Sequence, residues 1–278
     1  MIVEGNKNSI RSCFIIGEGS LTLNCAEWIL LQGCQIHGIV SSSKTIKKWA
    51  NENDIPYFDS KNKQLYETAI LNDNFDYLFS IVNPAILKEP LLSKPHIFSI
   101  NFHDSFLPRY AGMHSTSWAI INGEQEHGIT WHIMLEKVHA GDILKQAKVT
   151  LEPDDTAISL NQKCYETAFS TFKELLSELL TDTYIRQPQQ VDPNTYCGLY
   201  SKPRGNGWIR WDQTAEKIEA LYRAAQLGKH NNFFSTCKFV YKGAAYIVEE
   251  LTSISCNEIN SPGTVVLCDK KELQVATK

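Results

Sequence analysis

Three observations predict an α/β fold: a mostly parallel sheet with helices on both faces, followed by a smaller β-rich C-terminal part. Short apolar runs alternate with segments of helical period from residue 12 to residue 58, the pattern of strands returning to one sheet through crossover helices. A second run at 76–82 is continuously apolar rather than alternating, so it reads as a strand covered on both faces. Beyond the polar, proline-bearing stretch 187–193 (QPQQVDP) the apolar runs become short and strand-like.

Residues 12–16 (SCFII) form the first strand. The turn Gly17-Glu18-Gly19-Ser20 leads into a helix in which Leu21, Cys25, Trp28 and Ile29 share a face, and Gly33 suits the position after its last turn. Such a turn can offer backbone N–H groups to an anion. The third glycine of a dinucleotide fingerprint is absent, with Thr22 in its place, and two glycines also serve purely steric needs. A strand at 36–40, a helix at 45–53 and a strand at 55–58 follow. The strand at 76–82 stops at Asn83-Pro84. The next, 97–101, ends in a polar tip where Asn101 and His103, one residue apart, face the same side of extended backbone. The turn Ser105-Phe106-Leu107-Pro108 leaves the sheet because proline cannot continue its ladder. Residues 129–135 alternate, with Thr130, His132 and Met134 on one face. After Asp154-Asp155-Thr156 a helix runs to about Leu180, burying Cys164, Ala168, Phe172, Leu175, Leu176 and Leu179. The C-terminal part carries Trp208-Ile209-Arg210-Trp211-Asp212, a helix at 214–227, and β-rich runs at 238–241, 244–251, 262–266 and 273–276.

The 278 residues suffice for one large and one small domain, divided here as 1–190 and 191–278. Hydrophobic content of 43% and charged content of 21% are those of a soluble globular protein. A formal net charge of −4 is no polyanion-binding signature, so nucleic acid is not the favoured partner. Eight scattered cysteines without a CxxC pair read as free thiols of a reducing cytoplasm. The start, MIVEGNKNS, lacks a basic region followed by an apolar one, and no long uncharged apolar run could span a membrane.

Five of the eight histidines, His103, His114, His127, His132 and His139, lie between residues 100 and 142. An amide beside an imidazole can hold a carbonyl oxygen and move a proton, although the same two residues also serve as loop caps. Asn101-Phe102-His103 followed by Ser105-Phe106-Leu107-Pro108 resembles the signature of formyltransferases that use 10-formyltetrahydrofolate. That family includes glycinamide ribonucleotide, methionyl-tRNA and sugar N-formyltransferases and the formylation domains of peptide synthetases. The similarity runs ungapped from residue 76 to residue 144 and covers nearly the whole chain more loosely.

The resemblance implies a Rossmann-like catalytic domain and 10-formyltetrahydrofolate as cofactor. It places the pteridine in an apolar slot of Ala85, Ile86 and Leu87, with Ser105, Phe106, Leu107, Pro108 and Leu135 around it. Gly19, Ser20 and His114 would face the acceptor. His114 and His132 match histidines of the purine-pathway branch and would orient His103. The C-terminal runs resemble the small barrel-like domain of methionyl-tRNA formyltransferase, in which further strands follow, so the barrel is expected to be incomplete and the chain part of a longer polypeptide.

One position breaks the pattern. The family's third catalytic residue is an aspartate, and the matching residue here is His139; Asp142 stands three residues further on. Three accounts stay open: Asp142 moves into the role, His139 acts as a neutral base, or the site keeps its fold without its rate. Asn101, His103, His139 and Asp142 are thus the candidate catalytic residues, with no metal required. The segment 109–118 most resembles formylation domains of peptide synthetases, which implies an aminoacyl or other small-molecule or carrier-bound amine acceptor. A sugar amine is the runner-up and methionyl-tRNA the third. Two readings of other classes remain, a zinc site of His103, His132 and His139 and a folate-binding scaffold without turnover.

Overall fold

The computed structural model describes residues 11–189, 196–228, 232–255, 260–269 and 272–278. The N-terminal stretch read for a leader, and residues 190–193 of the expected linker, lie outside the described residues. Strand β1 (Ser12–Gly17) is followed by α1 (Gly19–Leu31), β2 (Gln35–Ser41), α2 (Lys44–Glu52), β3 (Tyr57–Asp59), α3 (Lys63–Leu71) and β4 (Tyr77–Ile81). Next come β5 (Phe98–His103), α4 (Ser115–Ile121), β6 (Glu126–Ile133), β7 (Ile143–Thr150) and α5 (Ala157–Leu180).

The sheet order is β3-β2-β1-β4-β5-β6-β7. Strand β1 pairs in parallel with β2 and β4, β2 with β3, and β4 with β5, whereas β6 runs antiparallel to β5. The winding reverses between β1 and β4. In sheets of this kind ligands bind outside the carboxyl ends of the strands at that reversal. Here those ends are Gly17, Ile81 and, on the next strand, His103.

The core explains the apolar runs. Every residue of β4 is buried, as expected of a strand covered on both faces. Phe14 meets Phe75 edge-on at 4.9 Å, and Phe172 of α5 packs on Phe79 at 5.5 Å and on Trp131 at 5.0 Å. The predicted stripe of α5 is buried throughout, each large apolar side chain contributing roughly 1.5–3 kcal/mol. Helices α3 and α4 and strand β7 lie in stretches the sequence analysis leaves unassigned; α3 buries only Tyr66 and Ile70, too few for a periodic stripe. Strand β5 runs two residues past its expected end because Asn101, Phe102 and His103 pair with His132, Trp131 and Thr130.

The chain divides into two compact units. One comprises Met1–Arg109, Gly128–Val149 and Cys164–Asn194, the other Tyr110–His127, Thr150–Lys163 and Thr195–Lys278. The first holds the sheet. Within the second are α6 (Ala215–Ala224) and the antiparallel ribbons β8 (Lys238–Tyr241) with β9 (Ala244–Ile247), and β10 (Val265–Cys268) with β11 (Leu273–Val275). Among the described residues the ribbons are separate two-stranded sheets rather than a closed barrel. Ile209, Ile218 and Cys237 form a small core there, with Trp211 and Phe239 against it. The described cysteines are free thiols, five of them buried; Cys256 lies outside the described residues. No described helix is long and apolar enough to cross a membrane.

Candidate active site

Asn101 sits on β5 directly opposite His132 of β6 and beside Ser80 of β4. Its amide is held at both ends. Ser80 Oγ donates to Asn101 Oδ1 at 2.8 Å. Asn101 Nδ2 donates to the Phe102 carbonyl at 2.7 Å and to His132 Nε2 at 3.2 Å. The tautomer of His132 follows from its other nitrogen: Nδ1 lies 2.8 Å from the Ile133 carbonyl and must carry the proton, which leaves Nε2 as an acceptor. Burial lowers the pKa of His132 to about 4 against that one favourable backbone contact, so it is neutral at physiological pH.

His103 is buried at the end of β5, at 5% exposure. The His139 ring stands edge-on to it with centroids 3.9 Å apart, and lies 5.5 Å from the His132 ring. Asp104 Oδ1 is 3.6 Å from His103 Nδ1, an acid the sequence analysis overlooks although it adjoins His103. Burial, then repulsion by His103 and His132, depresses the pKa of His139 to about 2. Its buried Nδ1 has no partner.

Asp142 has a different engagement. Arg186 Nε donates to its Oδ2 at 3.0 Å and a terminal guanidinium nitrogen does so at 2.8 Å. The loop is fixed next to it, because a Cβ on Gly141 would stand 1.9 Å from the Ile133 carbonyl. His139 itself occupies left-handed backbone, at φ 58°. The structure therefore brings the ring of His139, not the carboxylate of Asp142, against His103. Among the described residues no group of three or more His, Cys, Asp or Glu side chains is arranged to hold a metal ion.

At the end of β4, Val82 takes φ 52°, a strained conformation for a β-branched residue. The chain then turns through Asn83, whose amide bonds both backbone groups of Ala85 at 3.0 and 3.2 Å. Ile86 is 63% exposed, whereas Leu87 is buried in the core with Leu91 and Leu92. Leu135 and Phe106 add exposed apolar surface in the same unit. Ser105 and Leu107 are buried and spent on the turn itself. Thr130 Oγ1 donates to the Ser105 carbonyl at 2.7 Å and accepts from the Leu107 N–H at 3.1 Å and from Gln146 Nε2 at 2.9 Å. Pro108 follows, half-buried. Thr130 and Gln146 escape sequence reasoning, since their partners are backbone groups distant in the chain.

Gly19 and Ser20 are exposed at the start of α1. The adjacent Glu18 carboxylate accepts from Ser41 Oγ at 2.7 Å and the Ser42 N–H at 2.6 Å, so this turn already carries a negative charge of its own. His114 belongs to the second unit. It precedes α4 in left-handed backbone, with Nε2 3.2 Å from the Leu199 carbonyl and its ring 5.6 Å from Phe234.

A doubly wound α/β sheet thus presents an amide and an imidazole at the end of a central strand, with exposed apolar surface in the same unit. Residues 31–176 match the formyl transferase family and residues 203–278 match the formyl transferase C-terminal domain. The chain belongs to the formyl transferase family. A curated relative, the bifunctional polymyxin resistance protein ArnA of Wigglesworthia glossinidia brevipalpis, is 29% identical over 248 residues, covering 83% of this chain and 36% of that protein. The chain thus spans little more than a third of that relative's length. Among solved structures, a 4-N formyltransferase from Francisella tularensis superposes with a TM-score of 0.69 at 19% identity, over 88% of this chain and 99% of that one. The N-formyltransferase of Helicobacter canadensis, solved with folinic acid and dTDP-3-aminofucose, gives 0.63 at 22% identity, over 78% of this chain and 80% of that one. At these identities the likeness to the solved structures is one of fold.

Proposed function

We propose that this chain transfers the formyl group of 10-formyltetrahydrofolate to the amine of an amino sugar. The observation that carries the reading is the end of β5, where Asn101 and His103 stand together with the His139 ring 3.9 Å from that of His103. The amine attacks the formyl carbon, its lone pair forms the new C–N bond, and the carbonyl electrons move onto oxygen. Asn101 and His103 are the donors for that oxyanion, and loss of one such donor typically costs about 10²- to 10³-fold in rate. The amine proton passes to the His103 imidazole, against which the His139 ring packs. The folate nitrogen leaves as the C–N bond behind it breaks, and is protonated on departure. In this reading the cofactor lies along Ala85, Ile86 and Leu87, against Phe106 and Leu135; Ser105, Leu107 and Pro108 shape the turn, and Gly19 and Ser20 face the acceptor.

The amino-sugar acceptor draws on the relatives, one solved with a nucleotide-linked amino sugar and folinic acid. A second reading, an aminoacyl group on a carrier within a larger synthetase, draws on the turn Arg109-Tyr110-Ala111-Gly112-Met113-His114. Incubation with 10-formyltetrahydrofolate and either a nucleotide-linked amino sugar or an aminoacyl carrier protein separates the two. Formylation of the sugar is the expected result. Formylation of the carrier alone replaces the acceptor, and binding of the folate without transfer to either leaves only the scaffold reading.

A further inference from the structure

Ser80 is a polar residue at 2% exposure in a strand that is otherwise Tyr77, Leu78, Phe79 and Ile81. A hydroxyl in such a place costs free energy unless it is bonded. Its register partner on β5 is Asn101. The direction of the bond between them is decided by the surroundings of the amide. Turned over, the Asn101 amide would set Oδ1 at the 2.7 Å position facing the Phe102 carbonyl and against the lone pair of His132 Nε2, acceptor against acceptor. Asn101 Oδ1 therefore faces Ser80, and Ser80 Oγ donates. The same oxygen accepts from Asn83 Nδ2 at 3.3 Å, and Asn83 bonds both backbone groups of Ala85.

We infer that Ser80 is a positioning residue for formyl transfer: its hydroxyl holds the oxygen end of the Asn101 amide in place and ties that amide to the Asn83–Ala85 turn. The inference rests on the formyl-transfer reading, in which Asn101 Nδ2 turns one of its two hydrogens from the Phe102 carbonyl or His132 Nε2 to the developing oxyanion. Without the Ser80 donor, Oδ1 loses its hydrogen bond and the amide loses its tie to β4, so Nδ2 is placed less firmly. Asn83 acts on the other side, by holding the backbone of the cofactor slot.

The test uses the full chain. Ser80→Ala should lower kcat about tenfold, less than outright loss of an oxyanion donor, while KM for the folate donor stays within about twofold. Ser80→Thr, which keeps the hydroxyl, should restore most of the rate. Asn83→Ala should do the reverse, raising KM with kcat largely kept. Independently of turnover, the side-chain amide resonances of Asn101 in ¹⁵N-asparagine-labelled protein without ligand should shift in Ser80→Ala and stay near the wild-type position in Ser80→Thr. Should Ser80→Ala fail to fold, Ser80→Cys, of similar volume and weaker donor strength, carries the same expectations. An unaltered Asn101 amide resonance, a wild-type kcat in Ser80→Ala, or equal loss in Ser80→Thr would each overturn the inference. A wild-type chain without formyl transfer would instead overturn the functional reading, and the resonance comparison would still decide whether Ser80 orients Asn101.

Discussion

At the scale of single residues, the departure from the family aspartate is answered by an imidazole in contact with His103, while Asp142 is occupied by Arg186. His139→Asp should therefore keep or raise the rate of formyl transfer, and His139→Ala should lower it. Asp142→Asn should be mild, costing at most about 1 kcal/mol in stability for a partly exposed ion pair. A severe effect of Asp142→Asn in steady-state kinetics, with His139→Ala near wild type, would transfer the role to Asp142. The buried imidazoles also bear on stability. The pKa of His132 is about 4 in the folded chain against 6.5 when unfolded, so the unfolded state binds the proton more readily. Its contribution to stability is complete above pH 6.5 and falls as pH drops toward 4, by about 1.4 kcal/mol per unit. His139, buried beside two imidazoles, acts in the same direction. Urea titrations between pH 7 and 4.5 should show this slope, and it should flatten in His132→Asn; a profile unchanged by that substitution would contradict the assignment.

At the scale of elements, the turn after β5 depends on one side chain of β6. Thr130 is fully buried and bonds Ser105, Leu107 and Gln146. Thr130→Val removes three hydrogen bonds at once and leaves the turn only the Leu107 N–H to Ser105 carbonyl bond and the Gln146 to Leu107 carbonyl bond; at about 0.5–1.5 kcal/mol net for each bond lost, a loss of roughly 2 kcal/mol or more is expected in denaturant unfolding. The cofactor slot makes the opposite prediction. Because Ile86 is largely exposed, Ile86→Glu should leave the unfolding midpoint near wild type while abolishing binding of 5-formyltetrahydrofolate in calorimetry. Unaltered affinity would move the pteridine elsewhere.

At the scale of the whole molecule, we propose the division at 190/191 as the point where the chain is most readily cut. Limited proteolysis should cleave near residues 187–193 and leave a fragment of 1 to about 190; cleavage within 160–180 instead would contradict it. The compact units interleave along the chain, however. Trp118 packs on Phe234 at 5.1 Å within the second unit, so removal of residues beyond 190 should expose Trp118 and shift its emission to longer wavelength.

The sequence by itself determined the α/β class, the strand order of burial, and the stretch that carries the site. Those properties are written in local periodicity: continuous apolar strands such as residues 76–82, the α5 stripe from Cys164 to Leu179, and the polar tip Asn101–His103 all report their own burial. It also located the odd residue, His139, because a motif is a matter of spacing. Only the tertiary structure decided how these groups are oriented. Whether His139 or Asp142 meets His103 depends on the close passage of Gly141 past Ile133 and on Arg186, more than forty residues away in sequence. The pairing of Ser80 with Asn101, and of Thr130 with the turn after β5, arises from strand register. Between strands joined by long connections, register is decided only when their buried faces meet in the assembled sheet.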